Sequence, residues 1–218
     1  MRDADNIRNV IKAGADMIGL IFYPKSPRYV QMINSGSGLL PDRASAEYTG
    51  ITSDRDRPQI VGVFVDDMPQ NIITRIVNYN LDYVQLHGNE TPELIQNLKA
   101  TIVPDIRKQL KVIKAISISS AADIDKCSKY EGLVDMFLFD TKCDGKGGSG
   151  EKFDWSVLDA YHGNTPFLLS GGISPDDVER IKALRHPQFA GVDINSKFET
   201  EPGIKDVAKV AEFVKSLR

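Results

Sequence analysis

The stretch from Met136 to Gly150, MFLFDTKCDGKGGSG, holds the residue types and spacing best suited to chemistry. Asp140 closes a short apolar run, Met136-Phe137-Leu138-Phe139, which reads as a buried strand bounded by turn residues. A carboxylate at the end of a buried strand is costly unless it is paired or used. The loop behind it carries Lys142, Gly145, Lys146, Gly147, Gly148 and Gly150. Glycine backbone of this kind brings N–H groups close to an anion. Asp140 is therefore a candidate acid or base beside a phosphate-sized group. A plainer reading has it cap the loop.

Other reactive residue types fall at comparable places. Arg28 stands in Ser26-Pro27-Arg28, just after the apolar run DMIGLIF, and a guanidinium there suits a carboxylate held in a two-bond fork. His87 follows DYVQL, where it either lines a pocket or satisfies a turn. Gly171 and Gly172 follow FLLS and precede a helix start, an arrangement that suits phosphate or ordinary turn geometry. Asp193 and Ser196 lie at the last apolar run.

The elements that must position these residues alternate. A capped helix runs from Asp3 towards Gly14, then a strand spans Asp16–Phe22. Residues 32–57 show little periodicity and read mostly as loop, with one short helical turn near Ala44–Tyr48 and a solvated charge run, SDRDR, at 53–57. Strands follow at 59–65, 82–86, 111–118, 136–140, 166–170 and 189–194. Helices are predicted over 68–80, from 91, over 121–130, near 155–161, over 174–184 and over 205–217. The helix at 68–80 should bury Ile72, Ile73, Ile76 and Val77. Uninterrupted βα alternation implies a parallel sheet with right-handed crossovers. Eight units close into a barrel, and strand ends then converge on one mouth. Seven strands are visible, with an extra helix at the start. The pattern is a (βα)8 TIM barrel, one domain over residues 1–218, with its first β-strand absent from the chain.

Composition agrees with a small-molecule enzyme. The 218 residues carry 27 Lys+Arg against 30 Asp+Glu, a net charge of −3, which argues against nucleic acid as a partner. No apolar run approaches membrane-spanning length and no secretory signal is visible. Cys127 and Cys143 lack metal-type spacing and suggest a reducing cytoplasm; a disulfide between them stays open at this stage.

Seven fragments in register, IGLIFYPKSPRYV, VGVFVDD, DYVQLHGNE, LFDTK, KGGSGEKFDW, LLSGGISPDDV and GVDINSKFETEPGIKD, resemble the phosphoribosylanthranilate isomerase family of tryptophan biosynthesis. The resemblance implies a (βα)8 barrel, no metal or organic cofactor, and an Amadori rearrangement of N-(5-phosphoribosyl)anthranilate to the open-chain ketose. It implies that Asp140 is the general acid and must carry a proton when substrate binds. Arg28 takes the anthranilate carboxylate, Asp193 contacts the anthranilate amino group or orients a loop, and His87 lines the pocket. Gly148, Gly171, Gly172 and Ser196 hold phosphate. Asn195 departs from the small hydroxyl residue common there. The family's general base is a cysteine ending the first strand, in a segment that would directly precede Met1. The missing strand and the missing base are thus one piece. A start codon internal to the true protein explains both; a truncated form, or a phosphosugar-binding barrel without catalysis, are the alternatives. Substitution by Cys143 demands an unfavourable reach, and Cys127 reads as core filler. An unpaired strand edge would favour association, but the oligomeric state is not legible.

Overall fold

The computed structural model describes residues 1–31, 58–141 and 154–218. Expectations for 32–57, for Cys143 and for the glycine loop including Gly148 lie outside these residues.

Helix α1, Ala4–Lys12, begins where the Asp3 side chain accepts from the Asn6 N–H. Seven strands then form one sheet in sequence order: β1 (Met17–Ile21), β2 (Gln59–Phe64), β3 (Tyr83–Leu86), β4 (Lys111–Ile118), β5 (Met136–Thr141), β6 (Phe167–Ser170) and β7 (Phe189–Val192). Every pairing is parallel. The connecting helices are α2 (Pro69–Tyr79), α3 (Pro92–Ile102), the single turn α4 (Ala121–Ile124) and α5 (Val178–Ala183), and α6 (Val207–Leu217) ends the chain. This is the α/β (βα)8-type barrel expected, with seven strands described.

Parallel strands are covered on both faces, which is why they read as continuous apolar runs. Outward-facing side chains such as Phe64, Val84, Phe137, Phe139 and Phe167 pack beneath the helices in the main core. Phe139 stacks on Phe167 at 4.6 Å between ring centroids, and Tyr161 closes on both edge-on. Inward-facing Val61, Tyr83, Ile113, Ala115 and Leu138 make a second, smaller cluster inside the barrel. The two faces alternate along each strand, as the period of two requires.

Several elements differ from expectation. Val77 is 48 % exposed, and Tyr79 replaces it on the buried face of α2. The predicted helix at 155–161 is a 3-10 turn, Trp155–Ala160, while those at 121–130 and 174–184 are each part α-helix and part 3-10 turn, the turns at Asp125–Cys127 and Pro175–Asp177. A short antiparallel hairpin, β8 (Glu199–Glu201) with β9 (Ile204–Lys205), was not foreseen.

The sheet orders β1 at one edge and β7 at the other. Between them runs a cavity of about 910 Å³, lined by Met17, Gly19 and Ile21 of β1, by Ala190 and Val192 of β7 and by Val210 and Val214 of α6. The Met1 amino group reaches into it and donates to the Gly19 carbonyl at 2.5 Å. Burial is the main force pushing that amine down to about 5. A seam of side chains joins the chain's two ends across the gap. Asn6 donates to the Lys205 carbonyl and accepts from its N–H, both at 2.8 Å, and Arg218 reaches the Gly14 carbonyl at 2.9 Å.

Candidate active site

Strand register sets the reacting residues at one level. Asp140 of β5 stands opposite Ser117 of β4 and Ser170 of β6. One residue past β3, the His87 N–H donates to the Phe64 carbonyl of β2, and Asp193, just past β7, donates to the Leu169 carbonyl of β6. Asp140, His87, Ser170, Gly171, Gly172, Asp193 and Ser196 all line the one cavity, at the carboxyl ends of the strands. The sequence-predicted residues are thus brought together, except Arg28, which stands off the cavity, and Gly148, which falls outside the described residues.

The His87 Nε2 lies 3.5 Å from the Asp140 carboxylate. Its Nδ1 lies 3.0 Å from the Gln85 amide nitrogen, which can only donate. That assigns the proton of a neutral imidazole to Nε2, facing Asp140. His87 is therefore a pocket residue that meets the candidate acid. Asp193 accepts from the Ser170 hydroxyl at 3.3 Å. Burial pushes the Asp193 carboxyl above the ordinary range and Asp140 adds to the rise, while Lys205, His87 and the Ser170 hydroxyl oppose it.

Gly171 has φ +96°, and a Cβ on it would meet the Thr141 carbonyl oxygen at 2.1 Å, so only glycine fits. Gly172, at φ +70°, faces open space. The helix start beyond is less available than expected. The Asp177 carboxylate caps it, accepting from the Ser174 N–H and hydroxyl at 2.9 Å each. The glycine pair, rather than the helix start, is the part of this turn open to an anion.

Arg28 does not line the cavity itself. The loop after β1 is pinned where the Val30 N–H donates to the Ile21 carbonyl. From there the Arg28 Nε and Nη2 donate to Glu199 at 2.9 and 2.6 Å. Glu199 also accepts from Lys205 Nζ at 3.2 Å, and Lys205 does line the cavity.

Sequence reasoning missed the support beneath His87. Lys114 of β4 is 2 % exposed, and its Nζ donates to the Leu86 and Gly88 carbonyls at 3.2 and 2.7 Å and to Glu90 at 3.1 Å. Glu90 in turn accepts from the Gly88 and Asp66 N–H groups. The ion pair clamps the loop on both sides of His87. The one signal was a lysine within an otherwise apolar strand, KVIKAISI.

A parallel α/β barrel that gathers a carboxylate, an imidazole and a glycine turn at the carboxyl ends of its strands is built as the barrel enzymes are. A sequence model described as N-(5'phosphoribosyl)anthranilate isomerase matches residues 1–216, and the chain belongs to that family. The N-(5'-phosphoribosyl)anthranilate isomerase of Parabacteroides distasonis is 44 % identical over 217 residues, covering all of this chain and 90 % of the relative. The Thermotoga maritima phosphoribosyl anthranilate isomerase structure superposes with a TM-score of 0.76 at 31 % identity, over all of this chain and 95 % of that one. A family structure in complex with reduced 1-(o-carboxyphenylamino)-1-deoxyribulose 5-phosphate gives 0.74 at 28 % identity, over all of this chain and 94 % of that one.

Two outcomes test this geometry. Lys114→Met leaves Glu90 as a buried charge without its cation and should cost about 3–5 kcal/mol in urea unfolding, whereas Lys114→Met with Glu90→Gln should recover part of the loss. For Asp193 the folded value lies above the unfolded one, about 3.9. The folded state therefore holds that proton more tightly, and its contribution fades as pH rises from about 4 through the raised value. Wild-type stability should fall relative to Asp193→Asn over that window, and a pH-independent difference would contradict the assignment.

Proposed function

We propose that this protein carries out the family's Amadori rearrangement of N-(5-phosphoribosyl)anthranilate, with Asp140 as general acid. The observation that carries the reading is the meeting of Asp140, His87, Asp193 and the Gly171-Gly172 turn on one cavity mouth. Asp140 gives a proton to the furanose ring oxygen as the bond from that oxygen to C1′ breaks, leaving an iminium. A base then removes the C2′ proton, and the resulting enamine tautomerises to the ketone. His87, with its proton towards Asp140, orients the acid. Asp193 faces the anthranilate amino group, and Arg28 takes the ring carboxylate. Gly148, Gly171, Gly172 and Ser196 hold the phosphate.

The base belongs in the gap between β1 and β7. Cys127 is an unsuitable thiol: it is buried in the outer core, and burial pushes it up to about 12. Among the described residues that gap is bordered by the parallel edges of β1 and β7 and is open at the mouth. A non-catalytic phosphosugar-binding barrel is the competing reading, and no observation favours it.

Rescue of a tryptophan auxotroph lacking the isomerase, by this chain and by the longer product of the upstream in-frame codons, compares the two readings. Growth with either form supports catalysis, and growth with neither supports the binding protein. In the active form, Asp140→Asn should lower kcat roughly 100- to 10,000-fold with little change in affinity for the reduced product analogue. Unchanged turnover would remove Asp140 from the mechanism.

A further inference from the structure

At the rim of the mouth two cations share one carboxylate. Arg28 and Lys205 both donate to Glu199, whose side chain is 5 % exposed. Glu199 lies 171 residues from Arg28 in the chain. Its remaining acceptor capacity goes to the Gly203 N–H at 3.1 Å. Lys205 is fixed from behind by the Asn6 side chain on its backbone, and its Nζ also donates to Asn195 at 2.9 Å. Burial works against the Glu199 carboxylate, but Arg28, Lys205 and the Gly203 N–H outweigh it and its value falls below the usual range. Burial pulls Lys205 down, and Glu199 and Asp193 hold it up. Glu199 is thus an ionised anchor held on three sides.

The geometry of the guanidinium gives this anchor a purpose. Glu199 uses the Nε and one Nη2 proton of Arg28. Among the described residues nothing takes the opposite edge, formed by Nη1 and the second Nη2 proton. An arginine held along one edge presents the other as a ready fork for a planar carboxylate. Holding it before the ligand arrives avoids the ordering cost of a long, rotamer-rich side chain.

We propose that Glu199 is the positioning residue for substrate-carboxylate recognition: by clamping Arg28 from behind, it sets the preference for an aryl group bearing a carboxylate. This rests on the reading of Arg28 as the carboxylate ligand. Lys205 acts through Glu199, holding the anchor in place and contributing charge to the rim.

Titration calorimetry on the full 218-residue chain decides it, with two probes. One is reduced 1-(o-carboxyphenylamino)-1-deoxyribulose 5-phosphate; the other is the same compound without its ring carboxylate. The parent chain should prefer the carboxylated probe. Glu199→Gln should weaken that probe about tenfold or more and leave the other unchanged. Glu199→Asp keeps the charge on a shorter stem and should give a smaller loss of the same preference; it decides the matter if the Gln variant does not fold. Equal weakening of both probes, or an unaltered preference in the Glu199 variants, overturns the proposal. Arg28→Ala separates the two levels. If it abolishes the preference while the Glu199 variants retain it, only the positioning role fails. If it retains the preference, or if the parent binds neither probe, the reading of Arg28 fails and this inference falls with it.

Discussion

A parallel sheet buried on both faces must bond its backbone to neighbouring strands, because no water reaches an unpaired N–H or C=O in the interior. In a closed barrel every strand has two neighbours. Among the described residues β2 to β6 each have two, and β1 and β7 have one. The edges of the gap and the depth of the cavity follow from that count. So does the functional geometry, since the ladder aligns Asp140, Ser170 and the positions of His87 and Asp193 at one level. The site is a consequence of register before it is a consequence of any side-chain contact.

The charged groups at the mouth divide into two kinds. Lys114 and Glu90 lie deep and spend their bonds on backbone, fixing the turn that carries His87. Arg28, Glu199 and Lys205 lie at the rim, where Glu199 spends its acceptors on the two cations and the Gly203 N–H and leaves one edge of the Arg28 guanidinium without a partner among the described residues. Buried ion pairs contribute little net stability against an apolar replacement, but removing one partner is costly. Their presence here is better explained by the placement of a loop and of a guanidinium than by stability.

The strands were legible because runs such as QIVGVF and MFLFD are short, apolar and bounded by turn residues. Asp140 stood out as a charge terminating such a run. Helices were legible where a full amphipathic face existed, as in Pro69–Tyr79 and Val207–Leu217. Between β4 and β6 the cover is thin. There a capping box, Ser120 with Asp123, starts a helix of only four residues before a 3-10 turn takes over. Local signals announce the start of such a segment but not its early end. Glu199 lay within a fragment that carries the family resemblance, but nothing in its own setting marked it as a site residue. ETE resembles any polar surface run, and its partner Arg28 is far away in sequence.

The seam between the chain's ends has a kinetic meaning. Each strand pairing joins neighbours in sequence, whereas the Asn6–Lys205 bonds close a loop of 199 residues. The length-dependent part of that closure entropy is about 5 kcal/mol, more than two amide hydrogen bonds return at roughly 0.5–1.5 kcal/mol each. The joint must therefore lean on the packing of α1 against α6. It is a tie that the sequential strand pairings do not themselves supply. Opening of this joint would expose the cavity along the β1–β7 edges, and faster amide exchange there than in the central strands is its expected sign.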